Sequence, residues 1–106
     1  MMAEALSGPS TSGSVVLDLG PGTGALVLHA PPELDGAEIE ISRPADAPGS
    51  RTHSLVRRRE LPGRVQFAAV YPGLPPGDYV IWRDSTSQAS RVTVTSGQVT
   101  TADWPG

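Results

Sequence analysis

Apolar residues in this chain fall in short runs that alternate with polar ones, and turn residues separate the runs. In Ser14–Leu19, Val15, Leu17 and Leu19 share one parity and Val16 and Asp18 the other. Gly20-Pro21-Gly22-Thr23-Gly24 breaks the run, and Leu26 and Leu28 follow before Pro31-Pro32 stops a second strand. Ala37–Ser42 sets Ile39 and Ile41 on one face against Glu38 and Glu40 on the other. A Pro/Gly loop from Arg43 to Ser50 leads into Thr52–Arg59, the most polar run and an expected edge strand. Pro62-Gly63 turns the chain into Val65–Tyr71, where Phe67, Ala69 and Tyr71 align. After a tight connection over Pro72–Gly77, Asp78–Asp84 carries Tyr79 and Ile81 inward, with Val80 and Trp82 opposite. Two last runs, Ser90–Thr95 and Gln98–Trp104, flank Ser96-Gly97, a short-hairpin pair.

A period of two over four to eight residues is the strand signature. About eight such runs at roughly 8–12-residue spacing predict a sandwich or barrel. No window has the length and 3.6-residue period of an amphipathic helix. The fold expected is all-β, a small antiparallel sandwich of about 7–8 strands. Residues 1–13, rich in Ser, Gly and Ala and without a period, read as a flexible tail, and residues 14–106 as one domain.

Composition narrows the chemistry. The 106 residues include 12 Gly and 11 Pro, concentrated between the apolar runs where a β protein places its turns. There is no Cys, which removes disulfides, thiolate metal sites and a cysteine nucleophile. All eight basic residues are Arg and none is Lys, a bias that suggests a GC-rich, actinobacterial source. A net charge of -3 argues against a nucleic-acid partner. No apolar stretch approaches the ~20 residues that span a bilayer. The first residues lack a basic and then apolar leader, so a cytoplasmic location is expected.

The stretch Val15-Val16-Leu17-Asp18-Leu19-Gly20-Pro21-Gly22-Thr23-Gly24 resembles the first motif of S-adenosylmethionine-dependent methyltransferases. In that motif a strand ends in a glycine-rich turn and a helix follows, with an acidic residue roughly 20 positions on for the ribose. Glu38 or Glu40 fits the last requirement. The context does not fit, because the chain after Gly24 runs only six residues to two prolines, too few for a crossover of about a dozen. The glycines are expected to form a hairpin loop, and no cofactor is expected.

Tyr71-Pro-Gly-Leu-Pro-Pro-Gly-Asp-Tyr-Val-Ile-Trp82, followed by Val92-Thr-Val-Thr-Ser-Gly-Gln-Val99, resembles the prealbumin-like sandwiches of the carboxypeptidase-regulatory-like and Cna B-type group. The resemblance spans Phe67–Trp104 and implies that Leu74 plugs one end of the sandwich while Tyr79 buries its ring at the rim. The internal isopeptide bond of many Cna B-type domains needs Lys, and this chain has none. The Tyr-Arg-Gly-Ser ending of the transthyretin-like hydrolases is replaced by Ala102-Asp103-Trp104-Pro105-Gly106.

Three groups remain as candidate sites. Arg51, Arg57, Arg58, Arg59 and Arg64, set against Glu60, make one stretch +4 and leave -7 for the rest. Such polarity suits an anionic segment or self-association, while edge protection is the commoner use of charge on an edge strand. Arg57, Arg58, Arg59, Arg64, Val80 and Trp82 are therefore the candidate interaction residues. His29 and His53 are the only histidines and form the alternative ligand site; the alternative function is a small binding or hydrolytic domain acting on an anionic small molecule or lipid headgroup through His53 and nearby arginines. No metal site is expected, since two histidines lack a clear third ligand. Glu38 and Glu40, about 7 Å apart on one strand face, read as a solvated face. The function expected is a non-catalytic interaction or structural module, an accessory component of a larger assembly or a homo-oligomer.

Overall fold

The computed structural model describes residues 22–44 and 51–105. The strands are β1 (Gly24–Ala30), β2 (Glu38–Ser42), β3 (Thr52–Leu55), β4 (Arg57–Leu61), β5 (Arg64–Leu74), β6 (Gly77–Trp82), β7 (Gln88–Val94) and β8 (Val99–Asp103). A single 3-10 turn, Pro32–Leu34, links β1 to β2. Two four-stranded sheets result, ordered β4-β5-β1-β8 and β3-β2-β6-β7. The all-β sandwich read from the alternating runs is the fold.

The core lies between the sheets and is built from the parities that the sequence marked. Leu26 and Leu28 of β1, Ala69 and Tyr71 of β5, Ile39 and Ile41 of β2, and Tyr79 and Ile81 of β6 are all buried in one cluster. Leu74 also joins it, at 5% exposure. Tyr71 ties the layers together: from the first sheet its hydroxyl donates 2.7 Å to the Ile39 carbonyl of the second. The Tyr79 hydroxyl, at the end, donates 2.6 Å to the carbonyl of Pro75.

Three expectations need correction. Thr52–Arg59 is not one strand but two, β3 in the second sheet and β4 in the first. The break is Val56, the one fully buried residue of that polar run. Its side chain anchors in the core while its N–H donates 2.9 Å to the Ala37 carbonyl, so the chain crosses between layers there. Both halves are edge strands, as the run's polarity implied.

Ser96-Gly97 likewise turns the chain but makes no hairpin. β7 pairs antiparallel with β6, whereas β8 pairs parallel with β1, from Ala25↔Val99 to His29↔Asp103. The turn's outer groups are held by the start of β1: Gly97 N–H donates 2.8 Å to the Thr23 carbonyl, and Ala25 N–H 3.0 Å to the Gln98 carbonyl. Those bonds deliver the chain to the other sheet. Among the described residues the sandwich therefore has one parallel pair beside its antiparallel ones.

Third, Pro72 and Gly73 belong to β5, which runs on to Leu74, so the connection shortens to Pro75-Pro76. A register shift opposite Gly24/Leu26 absorbs the irregularity. At the other end of β6, regular pairing stops at Trp82, two residues before the expected Asp84. β1 has β5 on one side and β8 on the other. The hairpin loop expected at Gly20–Gly24 begins outside the described residues. Ser14–Leu19 itself, and the tail expected over residues 1–13, lie outside the described residues.

Candidate functional site

The arginine run is divided by strand parity. On β4, Arg57 pairs with Ala68 and Arg59 with Gln66, while Arg64 of β5 stands opposite Leu61. Ala68 also pairs with His29, whose parity is opposite to that of core residues Leu26 and Leu28. Arg57, Arg59 and Arg64 therefore share the outer face of the first sheet. Arg57 and Arg59 sit about 7 Å apart along the strand. None of the three has an ion pair among the described residues. Arg59 is half-buried, and its Nε is covered without a hydrogen-bond partner.

Arg58 does not belong to that group. It pairs with Phe67, a residue packed against the core, and so has the inward parity at the sheet edge. There its guanidinium meets the Glu60 carboxylate at 2.5 Å. The pair is largely solvated and contributes little to stability.

Val80 and Trp82 lie on the outer face of the second sheet, in very different settings. Val80 is 1% exposed, so it offers no surface to a partner. Trp82 is half-buried, and its indole N–H donates 2.9 Å to the Ser42 hydroxyl. The Arg51 guanidinium stacks 3.7 Å above the ring centroid. Arg51 also bridges to Glu40 at 3.0 Å and donates 2.9 Å to the carbonyl of Ser85. One arginine thus clamps β2, β6 and the β6–β7 turn. Asp84 builds that turn: its carboxylate accepts the N–H groups of Thr86 at 2.9 Å and Ser87 at 2.7 Å. These bonds, that of Thr86 first, hold its pKa below the ordinary carboxylate value. Arg51→Ala is expected to cost about 1 kcal/mol, from the cation–π contact and a partly shielded ion pair. Urea unfolding followed by tryptophan emission checks it.

The two histidines are not brought together. His53 is on β3 in the second sheet, with Nε2 3.4 Å from a Glu38 carboxylate oxygen. His29 is on β1 in the first sheet, beside Asp103 in register. A shallow cleft of about 530 Å³ opens next to it, lined by Glu33, Leu34, Arg83, Asp103 and Trp104. Arg83 from the end of β6 lies 5.4 Å over the Trp104 ring, and Trp104 N–H donates 2.7 Å to the His29 carbonyl. This cleft was not visible in sequence, because its wall joins residues from opposite sheets. No group of three His, Asp or Glu side chains is placed to hold a metal ion among the described residues.

The glycine-rich stretch ends in a strand. β1 begins at Gly24, where the methyltransferase-like motif would need a helix. Glycine at 24 has a packing reason instead: a Cβ there would collide with the Thr95 carbonyl oxygen and lie 2.8 Å from Val94 Cγ1. No protein-family model, no curated protein and no solved structure matches the chain. Among the described residues no helix is long and apolar enough to cross a membrane.

Proposed function

We propose that this domain is a prealbumin-like sandwich that works as a non-catalytic interaction module, either as an accessory component of a larger assembly or as a homo-oligomer. The observation that carries the reading is the outer face of the first sheet at its β4 edge. Arg57, Arg59 and Arg64 present three guanidiniums there with no carboxylate to meet them among the described residues. Like charges on neighbouring positions of a sheet repel one another. A surface that keeps them is built for an anionic partner, which gains steering and register from the field. Three other arginines are engaged within the chain, Arg51 with Trp82 and Glu40, Arg58 with Glu60, and Arg83 with Trp104, while Arg91 stands as a single exposed cation on β7.

The test is a triple charge reversal, Arg57→Glu, Arg59→Glu and Arg64→Glu, compared with His53→Ala. Light scattering after gel filtration reports self-association, and affinity capture from the native host reports partners. The triple variant is expected to lose the association with its circular dichroism unchanged, while His53→Ala keeps it. An assembly equally retained by the triple variant, or lost in His53→Ala alone, overturns the reading.

A further inference from the structure

We infer that the occupant of this surface is an extended acidic segment of another protein, added as a fifth strand to the open edge of β4. The inference rests on the interaction-module reading and specifies its partner. Among the described residues β4 is the last strand of its sheet and pairs only with β5, so one side of its backbone has no described strand beside it. An open edge of this kind accepts an extended peptide by main-chain hydrogen bonds, with alternate side chains supplying specificity. A strand laid there presents every second residue to the outer face, beside Arg57 and Arg59. The repeat between those side chains, about 7 Å, equals the repeat between residues i and i+2 of the incoming strand. Carboxylates at alternate positions therefore meet the two guanidiniums in register.

On the inner face the same strand passes Arg58 and Glu60, which already neutralise one another. Intervening positions are thus best filled by small neutral residues. That inward pair also supplies the charge that discourages chance edge-to-edge pairing. Protection of the edge does not account for two further cations on the outer face. The other edges lack this arrangement. β3 carries His53 beside Glu38, β8 ends its outer row in Asp103, and β7 has one outward arginine, Arg91, with no second at i+2.

The probe is a nine-residue peptide, acetyl-(Thr-Asp)4-Thr-amide, compared with a block peptide of the same composition and charge. Two further peptides are N-methylated on every Asp or on every Thr, which blocks one backbone edge or the other. Binding is read by fluorescence anisotropy and by amide shifts of the isotope-labelled full chain. The alternating peptide is expected to bind at least about tenfold tighter than the block peptide, with shifts concentrated at residues 57–61. One methylated peptide should lose binding and the other keep it. Arg57→Gln with Arg59→Gln should weaken binding by about tenfold, the product of two exposed charge pairs. Arg57→Gln with Arg64→Gln leaves half-buried Arg59 in place, and should weaken binding about threefold. If the block peptide binds equally and both methylated peptides match the parent, strand addition is overturned while the basic surface stands. If no peptide binds, the acidic-strand inference falls, and the charge-reversal assay decides separately whether the module reading falls with it.

Discussion

Gly24→Ala is expected to destabilise the domain by about 3 kcal/mol, at the upper end of the cost of overpacking. The added methyl would clash with the Thr95 carbonyl oxygen and press on the Gln98 carbonyl oxygen at 3.1 Å. Backbone oxygens cannot swing aside like the end of a flexible side chain. Moving them strains the bond from Gln98 N–H to the Thr95 carbonyl, 3.2 Å, and that from Ala25 N–H to the Gln98 carbonyl, 3.0 Å. Those bonds steer the chain from β7 into β8, so the damage would spread to the parallel pair. Gly63→Ala is the control: its φ is +77°, with open space around it, so it should cost only about 1 kcal/mol. Urea denaturation of both variants measures the difference. Equal midpoints would refute the packing role of Gly24.

Tyr71→Ala is expected to cost about 4 kcal/mol, and Tyr71→Phe about 1–2 kcal/mol, separating the ring from its hydroxyl. Tyr71 is 1% exposed and fills the space between the sheets. In the Phe variant the ring remains, and the Ile39 carbonyl loses its cross-layer donor. The hydroxyl also sets an alkaline limit. Burial pushes the Tyr71 pKa above the ordinary phenol value, so the folded state keeps a proton that the unfolded chain releases. Below pH ~10 both states hold it and stability is unaffected; above that, stability falls as the pH rises. Tyr71→Phe should lose less stability between pH 9 and 11 than the parent, in denaturant titrations at each pH. A steeper loss in the variant would contradict the assignment.

The sheet-forming segments were legible because burial on one face imposes a period of two. Ile39, Ile41, Phe67, Ala69, Tyr71, Tyr79 and Ile81 all took the face that their spacing marked. Pairing was less legible. Whether Ser96-Gly97 closes a hairpin depends on who accepts its neighbours' hydrogen bonds, and the acceptor is Thr23, more than seventy positions earlier. The crossing at Val56 hinges on one apolar side chain in a polar run, where a local pattern gives no reason for a break. Surface readings suffered similarly. Arg51 looked like part of the basic run, yet its place above Trp82 follows from the β2–β6 pairing, which brings Ser42 beside Val80. Arg58 was separated from Arg57 and Arg59 by alternation alone, as soon as β4 was fixed as a strand.

The parallel pairing of β1 with β8 also governs how the domain comes into being. Ala25 meets Val99, so one flank of β1 stays bare while the ribosome adds some seventy further residues. Contacts of such long sequence separation form slowly. The nascent chain must therefore carry an exposed, apolar strand edge while those residues are added, and any chain stopped short of Val99 would leave that edge open for good.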